Sequence, residues 1–221
     1  MNILVETIEK ARRWLQGKAG VDAERVSLWG VSKGAELALL AASHYEWVDR
    51  VVACVPSSFV WAGFGRAAAE GERYSSWTIQ GQPLPFIPHD GFEDSVQGKL
   101  SLAGVHQRSL EGSSQERVEA ARIPIEKTKA KLLLLGASKD QVWPSGRMVR
   151  QIEDELRRVD RGDQVKTFVF EGASHFICGG GGEVTRINPI VKPEGDRPSP
   201  EASARAAARA WAETERFLAL P

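Results

Sequence analysis

The hydrophobic and polar positions of the chain alternate between helical and strand-like spacing. Apolar side chains recur every three or four positions over residues 2–17, with the charges mostly on the opposite face, which predicts an amphipathic helix. Residues 25–29 and the nearly continuous apolar run 48–55 predict strands, the second of them covered on both faces. Between them, the alanine- and leucine-rich residues 35–43 predict a buried helix.

The same alternation returns in the second half of the chain. A leucine-rich strand is predicted over residues 130–136, a helix over about 145–159, a strand over 164–170 and an alanine-rich helix over 200–218. Strands that alternate with helices favour a parallel sheet with helices on both faces. We therefore predict the α/β class and a single domain over residues 1–221.

Residues 56–115 break this alternation and predict an irregular excursion within the same domain. The segment is rich in proline, glycine and aromatic side chains, and one helix is predicted at its end. Long loops inside compact domains often form lids or bind substrates. We predict that the excursion is such a lid and that Trp61, Trp77 and Phe86 line it over an apolar ligand.

Composition excludes several classes of protein without indicating an activity. Of 221 residues, 42% are hydrophobic, which excludes a disordered or collagen-like chain. The zero net charge favours neither nucleic acid nor a membrane surface as a partner, and no apolar run reaches the roughly 20 residues of a membrane span. The amino-terminal residues predict no secretory signal. With Cys54 and Cys178 predicted to be buried thiols, the expected location is cytoplasmic.

A serine lies at a predicted turn between a strand and a helix. Residues 30–34 read Gly-Val-Ser-Lys-Gly, the pattern Gly-x-Ser-x-Gly, directly after the strand 25–29. In a nucleophile elbow this strained turn exposes the serine hydroxyl above the sheet, and the next backbone N–H stabilises the oxyanion. We predict Ser32 as the nucleophile and the N–H of Lys33 as an oxyanion donor. The alternative is that Ser32 only caps the helix.

A nucleophilic serine needs a histidine base and a carboxylate that orients it. Among the four histidines, His175 directly follows the strand 164–170, at the strand end where parallel sheets place their sites. His44 lies at the far end of the helix after the elbow, and His89 and His106 lie in the excursion, where we expect surface or lid positions. His175 is therefore the predicted base.

The carboxylate is predicted at the end of the preceding strand. Asp140 follows the strand 130–136, whereas its rival Asp163 precedes a strand. The resulting chain order of serine, aspartate and histidine is that of the α/β-hydrolase fold, which is the predicted fold. The alternative role for Asp140 is that of a loop or helix-capping residue.

Three segments of the chain point to one protein family. Residues 30–36 read Gly-Val-Ser-Lys-Gly-Ala-Glu, residues 123–127 read Ile-Pro-Ile-Glu-Lys and residues 172–175 read Gly-Ala-Ser-His. In these segments the chain resembles the carboxyl-terminal catalytic domain of the acyl-CoA thioesterase and bile acid-CoA:amino acid N-acyltransferase family. The resemblance covers nearly the whole chain and implies the α/β-hydrolase fold and the same triad. Since the acyltransferase branch has cysteine at the elbow, serine implies hydrolysis with water as the acyl acceptor.

The resemblance also implies a departure from the family's pattern. Family members have further strands before the nucleophile strand, and a loop there supplies the second oxyanion donor. The parallel sheet is therefore expected to lack those N-terminal strands and to leave the strand 25–29 at an open edge, which invites pairing with another chain. Two hypotheses follow: a homodimer through the edge from Arg25 to Trp29, or a truncated gene product.

The expected function is that of a serine hydrolase that cleaves a small-molecule acyl-CoA thioester or ester. Two alternatives stay open: a carboxylesterase of the dienelactone-hydrolase type, and a catalytically weak binding module that depends on a partner. No cofactor is expected, and no cluster of His, Cys, Asp or Glu has the spacing of a metal site. The arginines of the last helix either form a solvated face or meet the phosphates of coenzyme A; they are Arg205, Arg209 and Arg216.

Overall fold

The computed structural model of the chain describes residues 2–63, 74–178 and 198–219. Its first part contains β1 (Ile3–Leu4), α1 (Thr7–Gln16), β2 (Val26–Val31), α2 (Lys33–His44) and β3 (Val48–Cys54). The excursion contains β4 (Trp77–Ile79), β5 (Gln82–Pro83), α3 (Phe92–Val96) and α4 (Leu102–Gly112), and α5 (Gln115–Ala121) begins at its last residue. The remaining elements are β6 (Lys131–Ala137), α6 (Ser145–Arg158), β7 (Val165–Phe170) and α7 (Pro200–Ala219), with 3₁₀ turns at Ile125–Lys127 and Gly162–Gln164.

A four-stranded parallel sheet forms the centre of the molecule, in the order β2-β3-β6-β7. The inner strands β3 and β6 have nearly all their side chains buried, as the continuous apolar runs predict for strands covered on both faces. The predicted α/β class with a parallel sheet is confirmed.

Helices cover both faces of this sheet. On one face α2 and α6 bury Leu39 and Ile152 in a cluster with Leu134 of β6. On the other face α7 buries Ala210 in a cluster with Leu133 of the same strand. Neighbouring leucines of one strand thus pack against helices on opposite faces of the sheet. Fully burying such a side chain stabilises the fold by roughly 1.5–3 kcal/mol.

The strand β2 lies at an edge of the sheet, as expected. Within the described ranges it pairs with β3 alone. The side chain of Trp29 is 47% exposed, and it lines a narrow cleft together with Ile177 and Trp211 of α7. This edge, which pairs with no other strand of the described ranges, therefore presents an exposed indole.

The first predicted helix is too long at its amino-terminal end. Ile3 and Leu4 form the short strand β1, which pairs in parallel with Trp77 and Thr78 of β4. The N–H of Val5 continues this pairing by donating to the Thr78 carbonyl at 3.0 Å. Because the partner strand is distant in sequence, the local spacing of apolar side chains does not reveal it.

The excursion contains more regular structure than predicted. Where the sequence predicts one helix at the end of this segment, its described residues contain α3 and α4 together with β4 and β5, and α5 begins at its last residue. The helices α4 and α5 begin after Ser101 and Ser114, whose hydroxyls accept hydrogen bonds from the amides of Gly104 and Arg117. Short polar caps rather than long apolar periodicity thus define these helices. Residues 64–73 of the excursion lie outside the described residues.

The prediction of two free thiols is wrong. Cys54, at the end of β3, and Cys178, in the segment after β7, form a disulfide with their Cα atoms 6.3 Å apart. Parallel strands end at the same edge of the sheet, and this brings together two residues that are 124 positions apart in sequence. The expected cytoplasmic location depended on free thiols. It stays a prediction.

Among the described helices, none combines the length and the apolar character that a membrane crossing requires.

Candidate active site

The turn between β2 and α2 has the conformation of a nucleophile elbow. Ser32 adopts φ 55° and ψ −121°, a strained conformation for a residue with a side chain. A Cβ at Gly30 would lie 2.3 Å from the carbonyl oxygen of Gly34, so only glycine permits this close approach of the backbone. The glycine at position 30 thus allows the strand to turn into the helix within a single residue.

Backbone hydrogen bonds hold Ser32 in this conformation. Its N–H donates to the Cys54 carbonyl of β3 at 2.9 Å, and its carbonyl accepts from the amides of Ala35 and Glu36 at 2.9 and 3.1 Å. Its hydroxyl makes no capping hydrogen bond to α2. The alternative of a helix-capping serine is therefore wrong.

The structure brings Ser32, His175 and Asp140 together in one relay. The Ser32 Oγ lies 3.0 Å from His175 Nε2, and His175 Nδ1 lies 2.9 and 2.8 Å from the two carboxylate oxygens of Asp140. An ionised carboxylate only accepts hydrogen bonds, so Nδ1 carries the proton and Nε2 is free to accept one from the hydroxyl. This geometry can deprotonate Ser32 during nucleophilic attack.

Several donors fix the carboxylate of Asp140. The amides of Val142 and Trp143 donate to Oδ1 at 2.9 and 3.2 Å, and the Ser145 hydroxyl donates to Oδ2 at 2.5 Å. The Ser145 oxygen in turn accepts from the Ala137 amide at 3.1 Å. Asp140 therefore both orders its own loop and orients His175. Ser145 was not predicted, because a hydroxyl at a helix start carries no distinguishing sequence signal.

The loop that carries His175 is attached to the loop that carries Asp140. The Lys139 amide donates to the Ala173 carbonyl at 3.0 Å, and the Gly172 amide donates to the Ser138 hydroxyl at 2.9 Å. The indole of Trp143 meets the imidazole of His175 edge-on, with ring centroids 5.7 Å apart. These contacts fix the ring plane of the histidine. The rival Asp163 takes no part in the relay and lies in the 3₁₀ turn before β7.

The predicted oxyanion donor is the backbone amide of Lys33, which is the first residue of α2. Amides in the first turn of a helix have no acceptor within that helix, and the helix dipole adds positive potential there. If Ser32 attacks a carbonyl group, the negative charge that develops on the carbonyl oxygen would lie near this positive helix end.

A buried ion pair next to the nucleophile was not predicted. The ammonium of Lys33 lies 2.7 and 2.8 Å from the carboxylate oxygens of Glu36, whose side chain is fully buried. Burial raises the pKa of Glu36, and the charge of Lys33 opposes this shift. Burial likewise lowers the pKa of Lys33, against the attraction of Glu36.

The three residues predicted to line a lid occupy different environments. Trp61 and Trp77 are buried, and their indole N–H groups donate to the Ser57 hydroxyl at 2.7 Å and to Glu36 at 2.6 Å. Phe86 lines an open groove of about 550 Å³, whose lining includes none of the three relay residues. Their role over a substrate stays a prediction.

Of the surface or lid positions expected for His106, the surface position is wrong. His106 is fully buried, and its ring packs against Trp61 and Trp143. Burial lowers the pKa of His106 to about 4 and that of its neighbour His89 to about 3. Both imidazoles are therefore neutral at pH 7.

Within the described ranges, no group of three or more His, Cys, Asp or Glu side chains is arranged to hold a metal ion.

Comparisons with known proteins agree on family and fold. A family model described as BAAT / Acyl-CoA thioester hydrolase C terminal matches residues 3–179. The peroxisomal succinyl-coenzyme A thioesterase of Mus musculus is 23% identical over 180 residues, which are 80% of this chain and 39% of that protein. The chain thus spans well under half the length of this curated relative. The family match confirms the resemblance inferred from the sequence.

Solved structures share the fold at low sequence identity. A Klebsiella pneumoniae protein assigned as a dienelactone hydrolase superposes with a TM-score of 0.52 at 13% identity, covering 98% of this chain and 60% of its own. The Pyrococcus horikoshii acylaminoacyl peptidase superposes with a TM-score of 0.54 at 14% identity, covering 96% of this chain and 26% of its own. The predicted α/β-hydrolase fold is confirmed.

Proposed function

The chain belongs to the BAAT / acyl-CoA thioester hydrolase C-terminal family, and from this premise we propose that it is a serine hydrolase that cleaves acyl-CoA thioesters. The observation that supports this proposal is the continuous relay of Ser32, His175 and Asp140, with hydrogen-bond distances of 2.8 to 3.0 Å. The residues flanking the serine supply the strained elbow that such a nucleophile requires.

The proposed reaction proceeds through an acyl-enzyme. His175 Nε2 accepts the proton of Ser32 as Oγ attacks the thioester carbonyl, and the carbonyl electron pair moves onto the oxygen beside the Lys33 amide. Collapse of the tetrahedral intermediate breaks the C–S bond, and the imidazolium returns the proton to the departing thiolate. His175 then deprotonates a water molecule, whose oxygen attacks the acyl-enzyme; the acyl–Oγ bond breaks, the imidazolium returns the proton to Ser32 Oγ, and the carboxylic acid leaves. Asp140 stabilises the imidazolium in both halves of the reaction.

The open edge of β2 supports a second element of the proposal, a homodimer in which two β2 strands pair. The edge is free of other described strands and carries the exposed Trp29. Unpaired edges of this kind readily accept a further strand.

Labelling with a fluorophosphonate tests whether Ser32 is activated. We expect one covalent adduct on the wild-type protein by intact mass and none on Ser32→Ala, because only a serine with a histidine base attacks the phosphorus centre at a useful rate. The matched control is Ser27→Ala, an exposed hydroxyl on the same strand, which should label like the wild type.

The outcomes separate the candidate functions. Labelling together with hydrolysis of acyl-CoA supports a thioesterase, whereas labelling with turnover of simple esters alone supports a carboxylesterase. A folded wild-type protein that forms no adduct would contradict the proposal and favour a binding module.

A further inference from the structure

The carboxylate of Glu36 is an unusual group to find beside the elbow, because its side chain is fully removed from solvent. Burying an ion pair costs desolvation energy, and a well-packed apolar pair of similar volume is often as stable. Stability of the fold alone therefore gives no reason for a charge at this position.

The contacts of Glu36 converge from three parts of the chain. Both carboxylate oxygens accept from the Lys33 ammonium, and Oε1 also accepts from the indole N–H of Trp77 at 2.6 Å and from the amide of Trp61 at 3.3 Å. The ammonium in turn lies 5.4 Å from the centre of the Trp77 ring. Glu36 is thus held by the excursion and itself holds the side chain of Lys33.

We infer that Glu36 is a positioning residue for the proposed reaction, acting through Lys33. It draws the Lys33 side chain back along the first turn of α2 and thereby fixes the peptide between Ser32 and Lys33, whose N–H faces the developing oxyanion. This inference deepens the proposed function and rests on it.

The geometry of the elbow explains why such a restraint matters. The direction of the Lys33 N–H is set by the ψ angle of Ser32, −121°, in a conformation that persists only when its surroundings enforce it. On the Ser32 side, backbone hydrogen bonds to β3 and α2 provide this enforcement. On the Lys33 side, the ion pair with Glu36 holds the side chain against the first turn of α2, and without this counter-ion the ammonium would turn towards water.

The test compares turnover with affinity for a transition-state analogue. The variants are Glu36→Gln, which removes the charge but keeps an oxygen acceptor for Trp77, and the double variant Lys33→Met with Glu36→Gln, which leaves no unpaired buried charge. The control is Glu153→Gln, which breaks an exposed ion pair with Arg157 on α6. Each folded protein is assayed with a short p-nitrophenyl ester and with a trifluoromethyl ketone, whose serine adduct carries an oxyanion.

We expect kcat to fall on the order of 10- to 100-fold in both variants with KM nearly unchanged, because a displaced donor weakens binding of the transition state and not of the substrate. Affinity for the trifluoromethyl ketone should fall by the same factor. Affinity for the corresponding trifluoromethyl alcohol, which has no carbonyl group and forms no oxyanion, should stay constant. The control should match the wild type.

Two results would overturn the inference, and they differ from failure of the proposed function. If the double variant keeps the wild-type kcat and ketone affinity, Glu36 has no positioning role. If KM rises while affinity for both inhibitors falls, Glu36 only supports the fold. If the wild type itself neither labels nor turns over, the proposed function fails and the inference falls with it. The double variant tests the positioning role of Glu36 even if the single variant Glu36→Gln does not fold.

Discussion

The ionisation of His106 is determined by the side chains around it. The ring is enclosed by Trp61, Trp143 and His89, and its Nδ1 lies 2.8 Å from the Leu102 carbonyl. With a pKa lowered to about 4, this imidazole binds no proton at neutral pH in the folded state, whereas the unfolded chain titrates near 6.5. A neutral, buried histidine therefore links the stability of the protein to pH.

We expect the free energy of unfolding to fall as the pH decreases from about 7 to 5. In this window the unfolded state binds a proton at His106 and the folded state does not, so His106 alone accounts for a loss of about 2 kcal/mol. His106→Phe keeps an aromatic ring and removes the titration, so its stability should fall less over the same interval. Urea unfolding at pH 7 and pH 5 measures both. Equal losses in the two proteins would refute the assignment.

Individual residues differ in how far the sequence predicts them. The relay residues Ser32, Asp140 and His175 were predictable because each directly follows a strand of a parallel sheet, so their proximity follows from topology alone. The partners of Glu36 and the donor Ser145 were not predictable, since their contacts depend on side-chain directions in segments whose packing no local pattern specifies.

Among the elements, β2 lies at an edge of the four-stranded sheet within the described ranges. Its edge position was expected from the resemblance to the family, and among the described strands β2 pairs with β3 alone. The sequence does not predict β1, whose two residues depend on pairing with β4, nor the helices that begin after Ser101 and Ser114. Strands with long apolar runs were thus predictable, while elements that need a distant partner were not.

A charged residue on this edge should interfere with the proposed pairing of two β2 strands. We expect the wild-type protein to be a dimer by light scattering and Trp29→Lys to be largely monomeric, because a lysine on an edge strand opposes strand addition. Trp14→Lys is the matched control, since Trp14 is an exposed indole on α1 and not on β2, with 64% of its surface accessible, and should leave the dimer intact. A monomeric wild type would contradict the homodimer.

At the scale of the whole molecule, the disulfide joins the strand next to the nucleophile to the segment that follows the base. Cys54 accepts the Ser32 amide through its carbonyl, and Cys178 lies shortly after His175. The bond therefore connects both sides of the site through a covalent path as well as through packing.

Reduction of this disulfide should destabilise the fold by about 2–5 kcal/mol, because the bond restricts the unfolded chain over a long loop. Urea unfolding with and without a phosphine reductant measures the effect. The double variant Cys54→Ser with Cys178→Ser should resemble the reduced protein and should not respond to the reductant. Two titratable thiols in denatured protein that has never been reduced would contradict the disulfide.

The same bond determines how the molecule responds to a protease. A single cut at any peptide bond between Cys54 and Cys178 divides the chain into an amino-terminal fragment that carries Ser32 and a carboxyl-terminal fragment that carries Cys178. The disulfide still joins the two fragments. A nicked protein should therefore migrate as one band on a non-reducing gel and as two after reduction. Since the sheet also holds both fragments, nicking in the excursion need not release the half of the site that contains the serine.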